Sequence, residues 1–440
     1  MTETAKTLPI DPISAAKLKN DNLRMTLVDT SDATTFIGWV QSANRGFHGG
    51  QLTEEQVAGF HAGLSDRRTT GVWDDAAAAP EAAVATVDSF ESPLTVPGGG
   101  DIPAWAISMV TVAPSHRRRG IARELLESEL RTAVALGIPM AMLTVSESTI
   151  YHRFGFAPAT LASDLTIDTR RARYTGAVPD GRVQLVALET LRPQIDELYT
   201  TARLASPGEM QVWPRRWDQI LGTADEKDVS KQPRAARYDD AAGNPQGFAV
   251  YRMKEREHDF AGHTAEVEYL MANTPDAYAA LWRFLLELDL TATVHAGLRP
   301  VDEPVRWLIS DFRAMKVETY DHLWLRILDV PTTLQARKYY APVALTIEVE
   351  DALGHAAGKY SLDTTGARPV VERVETSSVV ELVETDLSLT INDLSAIYLG
   401  GFSATTLKNA NRITEHTEGA TAQLDAAFHS PVTPWLSVWF

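Results

Sequence analysis

The most constraining feature of the sequence is the run V-T-V-A-P-S-H-R-R-R-G-I-A-R at residues 110–123. The apolar run that leads into it, 104–112, favours a strand, and the apolar residues that follow recur at helical spacing. The run therefore predicts a strand, a turn and a helix. Three arginines and Gly120 lie in the turn. Main-chain amides at the start of the helix can then converge on an anion, supported by the helix dipole and by the close approach that glycine permits.

The predicted anion is a phosphate group, but the turn is not a familiar nucleotide-binding loop. It lacks the Lys-Ser/Thr pair of a P-loop and the G-x-G-x-x-G pattern of a dinucleotide turn. On these residues alone, a solvated basic turn is the alternative. The pattern V-x-V-x-x-x-x-R-R-R-G-I resembles the pyrophosphate-binding motif of GNAT-superfamily acetyltransferases, which implies acetyl-CoA as co-substrate.

Length and composition limit the classes of protein. A chain of 440 residues is too long for one ordinary core and predicts two or three domains. The formal net charge of −17 argues against nucleic acid and favours cationic partners such as polyamines, aminoglycosides or lysine-rich peptides. The chain has no cysteine, which excludes a Cys-bound acyl intermediate and thiolate metal sites, and leaves direct transfer possible.

The sequence carries no apolar signal segment and no membrane-spanning run. We therefore expect a cytoplasmic protein with residues 1–22 as a mobile leader. The histidines of the last hundred residues are scattered, so we expect no metal site.

A second motif, S-E-x-x-I-Y-x-R-F-G-F, covers residues 146–156. A short helix beginning near Glu147 places Tyr151 one turn further on, close to the end of the strand beside the basic turn. A tyrosine hydroxyl, with a reference pKa of ~10, can protonate a departing thiolate as a general acid. A buried tyrosine packed under Phe154 fits the same residues.

The order of predicted strands and helices in the first half recurs over residues 183–288, which indicates an internal duplication. Where a second basic turn is expected, residues 271–276 read M-A-N-T-P-D, without an arginine cluster or a glycine. The second copy is therefore not expected to hold a cofactor. Residues 331–440 show β-rich runs, including one at 379–382, followed by helical stretches, which suggests an α+β layer. The last ten residues are largely apolar and aromatic, whereas chain termini are usually polar and mobile, so we expect them to pack against the rest of the protein.

Together these features resemble the Eis (enhanced intracellular survival) family of acetyltransferases. Further matching segments are L-W-L-R-I-L-D-V-P, I-Y-L-G-G-x-x-A-x-x-L-x-x-A-N-R and the aromatic C-terminus. The resemblance implies an α+β protein with a catalytic GNAT domain at 23–175, a degenerate GNAT-like domain at 176–330 and a sterol-carrier-like domain at 331–440. It also implies a homohexamer that acetylates amines, including those of aminoglycosides.

The resemblance also assigns site residues. It implies Tyr151 as the general acid and the α-carboxylate of Phe440 as the general base. The expected acetyl-CoA contacts are Val110, Val112, Arg117, Arg118, Arg119, Gly120, Ile121, Arg123, Ser146 and Glu147. The expected substrate contacts are Trp39, Phe47, Met109 and Trp439.

Two departures from the family pattern bear on the substrate. Trp439 stands where family members often carry an acid, and the loop after Phe47 reads His-Gly-Gly, without an acid. We therefore predict direct transfer from acetyl-CoA to a primary amine of a cationic or amphipathic small molecule: aminoglycoside-like, a polyamine or lysine. The pocket would favour a more apolar amine. The alternative is a non-catalytic protein whose C-terminal domain binds a lipid or metabolite.

Overall fold

The computed structural model describes residues 3–224, 232–374 and 384–440, so the expected strand at 379–382 lies outside the described residues. The helices are α1 (Glu3–Thr7), α2 (Pro12–Asn20), α3 (Ala33–Gly46), α4 (Glu54–Leu64), α5 (Ile121–Ala135), α6 (Ser148–Tyr151), α7 (Leu188–Ala205), α8 (Pro214–Ile220), α9 (Pro275–Leu286), α10 (Val330–Ala336), α11 (Ile391–Ile397), α12 (Ala404–Asn409) and α13 (Ala420–Phe428). The strands are β1 (Arg24–Leu27), β2 (Arg68–Trp73), β3 (Ala85–Val96), β4 (Gly100–Val112), β5 (Met140–Thr144), β6 (Ala157–Pro158), β7 (Leu161–Asp168), β8 (Arg182–Val186), β9 (Arg234–Asp239), β10 (Pro245–Lys254), β11 (His263–Ala272), β12 (Thr291–Arg299), β13 (Met315–Asp321), β14 (Leu323–Ile327), β15 (Ala344–Glu350), β16 (Gly358–Asp363), β17 (Val370–Arg373), β18 (Leu387–Thr390) and β19 (Thr414–Glu415).

The first two sheets share one design. The first has the order β1-β2-β3-β4-β5-β14-β6 and the second β13-β7-β12-β11-β10-β9-β8. In each, a central strand runs antiparallel to the strand before it and parallel to the strand after it. The amphipathic helix between the two parallel strands, α5 or α9, buries its apolar side on the sheet. The expected duplication is therefore visible in the strand order.

The two halves also exchange strands. β7 leaves the first half and pairs between β12 and β13, while β14 returns from the second half and pairs between β5 and β6. The predicted boundary between residues 175 and 176 is therefore wrong as a boundary between sheets. Sequence periodicity identifies a strand but not its partner, and each sheet here is completed by a strand of the other half.

Each central strand carries a bulge where it parts from its parallel neighbour. β4 pairs with β5 only at Trp105–Ala141 and Ala106–Met142, and its register with β3 shifts just beyond, near Met109. The last pair between β11 and β12 is Val267–Ala296, and the register of β11 shifts at the next residue. A bulge bends a strand and increases its twist. The parallel strands therefore diverge at the same place in both sheets.

The third sheet has the order β17-β16-β15-β18-β19, and helices α11 to α13 follow or flank its later strands. The apolar faces of this layer belong to a cluster that continues into the first two sheets. From α13 the chain continues as an extended segment, residues 429–440, which crosses the second half and reaches the first. Its last residues lie beside the point where β4 and β5 diverge.

The expectation of a mobile leader is wrong for residues 12–20. This segment forms α2, capped by the carboxylate of Asp11, and it packs on α5. Leu18 is buried, and the hydroxyl of Ser14 donates a hydrogen bond of 2.9 Å to the buried carboxylate of Glu124. The helix is fixed because it supplies partners to polar groups of α5, a contact that hydropathy does not reveal.

Among the described residues, no helix is long and apolar enough to span a membrane.

Candidate active site

A cavity of about 300 Å³ opens where β4 and β5 diverge, and we call it the first cleft. Its walls come from the two strands, the ends of α3 and α4, the short helix α6 and the C-terminal segment. The lining residues are Asn44, Phe47, Phe60, Ile107, Ser108, Met109, Val110, Thr144, Ser146, Tyr151, Trp439 and Phe440. The bulge contributes directly, because Met109 has a positive φ of 51° and faces this cavity.

The basic turn, Arg117 to Arg123, follows the bulged strand and leads into α5. Gly120 is the N-cap residue with φ of 79°, and no side chain caps the helix there. A Cβ at Gly120 would meet no atom within 4 Å, so the backbone at this point is open to an approaching group. The first amides of a helix have no intrahelical acceptor. They are therefore available for an anion at this end of the first cleft.

The arginines of the turn are exposed. Arg119 lies 3.8 Å from the carboxylate of Asp74 and donates to the carbonyl of Asp21. Within the described part of the chain, Arg117, Arg118 and Arg123 form no ion pair. Exposed guanidinium groups beside uncapped helical amides fit the charge and hydrogen-bonding needs of a pyrophosphate group. The turn therefore has the groups that the pyrophosphate of acetyl-CoA would require.

Tyr151 ends α6 and faces the first cleft with only 7% of its surface exposed. Burial raises the pKa of its hydroxyl to about 12, and the nearby negative charge of Glu147 acts in the same direction. The hydroxyl therefore keeps its proton at neutral pH. Tyr151 also packs edge to face on Phe156, with ring centroids 6.3 Å apart. Tyr151 is therefore packed in the core and also opens on the cavity.

The C-terminal residue reaches the cavity from the opposite side. The hydroxyl of Thr144, at the end of β5, donates a 2.9 Å hydrogen bond to a main-chain oxygen of Phe440. The ring of Phe440 packs edge to face on Phe90, with centroids 6.2 Å apart. These contacts hold the main chain of residue 440 at the diverging strand and bring it into the same cavity as Tyr151.

His322 holds the segment just before Phe440. It lies between β13 and β14, at the crossover between the two halves, and is fully buried. Burial lowers the pKa of the imidazole to about 4, so the ring is neutral at neutral pH. Its Nε2 lies 3.0 Å from the carbonyl oxygen of Val438 and must carry the proton, because a carbonyl only accepts. The same ring packs on Trp439 at 4.4 Å.

The structure brings seven of the sixteen predicted site residues together in the first cleft. The cavity is lined by Val110, Ser146, Phe47, Met109 and Trp439, as well as by the two predicted catalytic residues. Glu147 is exposed beside them as the residue before α6. Val112 continues the bulged strand, half-buried against the core. Ile121 buries its side chain, so only its main chain can contribute to the basic turn.

Trp39 is the exception among the predicted substrate contacts. It is fully buried in the cluster under α3, and its indole N–H donates to the carbonyl of Thr70. The side chain packs in this core and is not among the described residues that line the cavity. The prediction that Trp39 contacts substrate is therefore wrong for this structure.

Six residues of the site were not predicted. Five of them line the cavity, and His322 holds the C-terminal segment; the five are Asn44, Phe60, Ile107, Ser108 and Thr144. Asn44 lies one helical turn before the predicted contact Phe47, and Ile107 and Ser108 directly precede the predicted contact Met109. Nothing in the sequence singles out Thr144 or His322, because their roles depend on where a distant segment of chain docks.

Comparisons with known proteins agree with this geometry. Models of the acetyltransferase (GNAT) domain match residues 28–159 and 208–327, and a sterol carrier protein domain matches residues 330–437. An uncharacterized N-acetyltransferase of Streptomyces coelicolor is 35% identical over 90% of this chain and 95% of its own length. The N-acetyltransferase Eis of Mycobacterium tuberculosis is 34% identical over 77% of this chain and 81% of its own length.

Solved structures show the same architecture. Eis1 from Mycobacterium abscessus superimposes with a TM-score of 0.78 at 28% identity, over 95% of this chain and all of that one. A GCN5-related N-acetyltransferase from Anabaena variabilis gives the same TM-score at 19% identity and supports the fold alone. With two GNAT domains, a sterol-carrier-like domain and relatives above 30% identity along most of its length, the chain belongs to the Eis family of N-acetyltransferases.

Proposed function

We propose that this enzyme transfers the acetyl group of acetyl-CoA directly to a primary amine bound in the first cleft. The observation that carries the proposal is the convergence of three features from distant parts of the sequence. The basic turn lies at the end of the bulged strand, while Tyr151 and Phe440 line the cavity that the divergence of β4 and β5 opens. Acetyl-CoA, when bound, supplies an activated thioester.

The donor would be held by main chain and by charge. The basic turn, with Arg117, Arg118, Arg119, Gly120 and Arg123, would bind the pyrophosphate through helical amides and guanidinium groups. The main chain of Val110 and Val112, which β5 leaves unpaired, would accompany the pantetheine arm, with Ser146 and Glu147 on the facing side. The amides at the helix start include that of Ile121, whose side chain is in the core.

Tyr151 would act as the general acid. Its raised pKa keeps the hydroxyl protonated until negative charge develops on the departing sulfur. A coenzyme thiol has a reference pKa near ~8.5, well below that of Tyr151. The same burial that disfavours a tyrosinate also disfavours a thiolate, so the apolar site narrows the difference between the two pKa values. Tyr151 would therefore deliver its proton as the bond to sulfur breaks.

The main-chain terminus would act as the general base. A chain that ends at Phe440 carries a carboxylate at the position where Thr144 donates its hydrogen bond. An alkylammonium pKa of ~10.4 exceeds that of a solvated terminal carboxylate, ~3.5, by about seven units. Aromatic and apolar walls oppose charge on both groups, which raises the carboxylate pKa and lowers that of the amine. The cavity would therefore make this proton transfer practicable.

We propose an amphipathic primary amine as the acceptor. On the acceptor side the cavity presents Asn44, Phe47, Phe60, Met109 and Trp439, and no carboxylate side chain is among its described lining residues. An aromatic wall binds an apolar body by area burial, whereas several ammonium groups would each need a partner. Aminoglycosides, polyamines and lysine would then be poorer acceptors than an amine with one apolar end.

The test is an acceptor screen with purified full-length protein and acetyl-CoA, with thiol release monitored and products identified by mass spectrometry. The panel pairs arylalkylamines with polyamines, lysine and aminoglycosides. We expect the highest kcat/KM for an arylalkylamine. A chain that acetylates no amine and gives no calorimetric signal with acetyl-CoA would contradict the function; a preference for polycations would contradict only the acceptor class.

The expected homohexamer and cytoplasmic location stay predictions. Sedimentation velocity on the full chain measures the first directly. A monomer at the concentrations of the assay would contradict it without touching the acetyltransferase assignment.

A further inference from the structure

The second half has a cleft in the same place as the first. Beyond the last pair of β11 with β12, Val267–Ala296, the two strands diverge, and we call this gap the second cleft. The free space left in it is only about 10 Å³, room for about one water molecule. Its walls are Val267, Glu268, Tyr269, Leu270, Gly297, Leu298 and Arg299, together with Trp435 and Ser437 of the C-terminal segment.

Trp435 contacts the β12 side of the second cleft. Its indole N–H donates a 2.7 Å hydrogen bond to the carbonyl of Leu298, which lies beyond the last residue of β12 that pairs with β11. The guanidinium of Arg299 lies 5.2 Å from the centre of its ring, within the range of a cation–π interaction. The main-chain N–H of Trp435 donates a hydrogen bond to the carbonyl of Pro207. A side chain at Gly208 would collide with the main chain of Trp435, so the segment lies close against this loop.

Ser437 contacts the β11 side. Its hydroxyl lies 3.0 Å from the hydroxyl of Tyr269, two residues beyond the last pair of β11. The carboxyl group of the buried Glu209 also bonds to Ser437, through both its hydroxyl and its main chain. Tyr199 completes this buried group by donating to Glu209. The C-terminal segment is therefore bonded to both strands of the second cleft.

We propose that the second cleft is a docking socket for residues 435–437, and that it positions Phe440 in the first cleft. In the first half the diverging strands leave a cavity, whereas in the second half the enzyme's own chain fills the gap. Three residues span at most about 10 Å, so fixing Ser437 confines the terminal residue to the neighbourhood of Tyr151. His322 then contacts Val438 and Trp439, the two residues before Phe440. The catalytic part of this inference rests on the proposed role of Phe440.

Two substitutions each remove one hydrogen-bonding group from the docking socket but keep most of the side chain in place. Trp435→Phe keeps an aromatic ring but removes the N–H that bonds to Leu298, and Ser437→Ala removes the hydroxyl shared with Tyr269 and Glu209. The matched controls are Trp307→Phe, at an exposed tryptophan, and Ser128→Ala, at a buried serine whose hydroxyl has no partner among the described residues. Both pairs are made as double variants in the full chain, and melting curves verify that each is folded.

Two measurements are combined. Carboxypeptidase digestion followed by mass spectrometry reports the rate at which Phe440 is released, without any acetyl transfer. Steady-state kinetics and calorimetry report kcat and the Kd for acetyl-CoA. We expect the socket variant to release Phe440 at least tenfold faster than wild type and to lose at least tenfold in kcat. Its Kd for acetyl-CoA should stay within twofold, and the control variant should match wild type.

The outcomes separate this proposal from the proposed function. A socket variant with a protected terminus overturns the docking, and a released terminus with unchanged kcat overturns the positioning. A wild-type chain that acetylates no amine refutes the proposed function, whereas the rate of Phe440 release still decides whether the socket holds the segment.

Discussion

The two halves of the chain build the same gap and use it differently. Both have a bulged central strand that parts from its parallel neighbour, one after Ala106 and the other after Val267. In the first half the gap stays open as a cavity of about 300 Å³. In the second the free space is about 10 Å³, and Trp435 and Ser437 are among the residues that line it. The two halves therefore share the backbone geometry of the gap and differ in how much free space it contains.

The helices that follow the two central strands also differ, in how well their first turns could bind an anion. α5 begins after Gly120 without a side-chain cap and among exposed arginines. α9 begins with Pro275, which has no N–H, behind Thr274, whose hydroxyl accepts from Ala277; Asp276 adds a negative charge. An anion finds free amides and positive charge at the first helix, and neither at the second. The two helix starts therefore differ in their suitability for an anion through only a few residues of one turn.

The proposed chemistry lies in the first cleft and depends on Phe440 being there. Extending the chain beyond Phe440 converts its carboxylate into a peptide group and adds bulk inside the cavity. We expect kcat to fall by about a hundredfold or more, in the range of general-base catalysis. The same tag placed at the N-terminus is the control. Full activity of the C-terminally extended enzyme would remove Phe440 from the mechanism.

Tyr151→Phe tests the other side of the same cleft. The ring and its contact with Phe156 remain, but the proton donor is lost. We expect kcat to fall by about a hundredfold, with the KM for acetyl-CoA and the melting temperature nearly unchanged. Tyr360→Phe, which removes a buried hydroxyl from the third domain, is the matched control. Equal kcat values for the two variants would show that Tyr151 is only a core residue.

The turn before each helix supplies the third test. In Arg118→Ala/Arg123→Ala two exposed guanidinium groups are removed beside α5, and we expect the KM for acetyl-CoA to rise by about 10- to 100-fold, as for lost charge-assisted hydrogen bonds. Asp276→Ala, which changes a charge in the corresponding turn of α9, should leave KM unchanged. A rise in KM on the first change together with a fall on the second would mean that net charge, and not the turn, determines binding.

Much of this arrangement could be predicted from the sequence because it is local. The run at residues 110–123 and the segment beginning near Glu147 are short-range patterns, and the structure confirms the strand, turn and helix predicted from the first and the short helix predicted from the second. The exchange of β7 and β14 could not be predicted, since strand pairing depends on partners far along the chain. The same limit hid the role of His322.

His322→Asn addresses the link between the two clefts. Asparagine can still be buried, but it is shorter and loses both the contact with Trp439 and the geometry of the bond to Val438. We expect kcat to fall by about tenfold, the size of one lost hydrogen bond, with unchanged affinity for acetyl-CoA. His61→Asn, at an exposed histidine outside the cavity, is the control. Carboxypeptidase should release Phe440 faster from H322N alone, and equal release from both would refute its positioning role.

The smallest expected effect concerns the pH dependence of the second cleft. Burial raises the pKa of Glu209 to about 7, although bonds from Ser437 and Tyr199 and the charge of Arg203 favour its carboxylate. The folded state therefore holds a proton that an unfolded glutamate, with a pKa of 4.5, has lost. Stability from this group is complete below pH 4.5 and declines until the pH passes 7, by about 3 kcal/mol in total. Glu209→Gln stays neutral, so its melting temperature should fall by a few degrees less than that of wild type between pH 5 and 9. Glu318→Gln, at an exposed residue of β13, should behave like wild type, and equal slopes for all three proteins would mean that Glu209 does not titrate in this range.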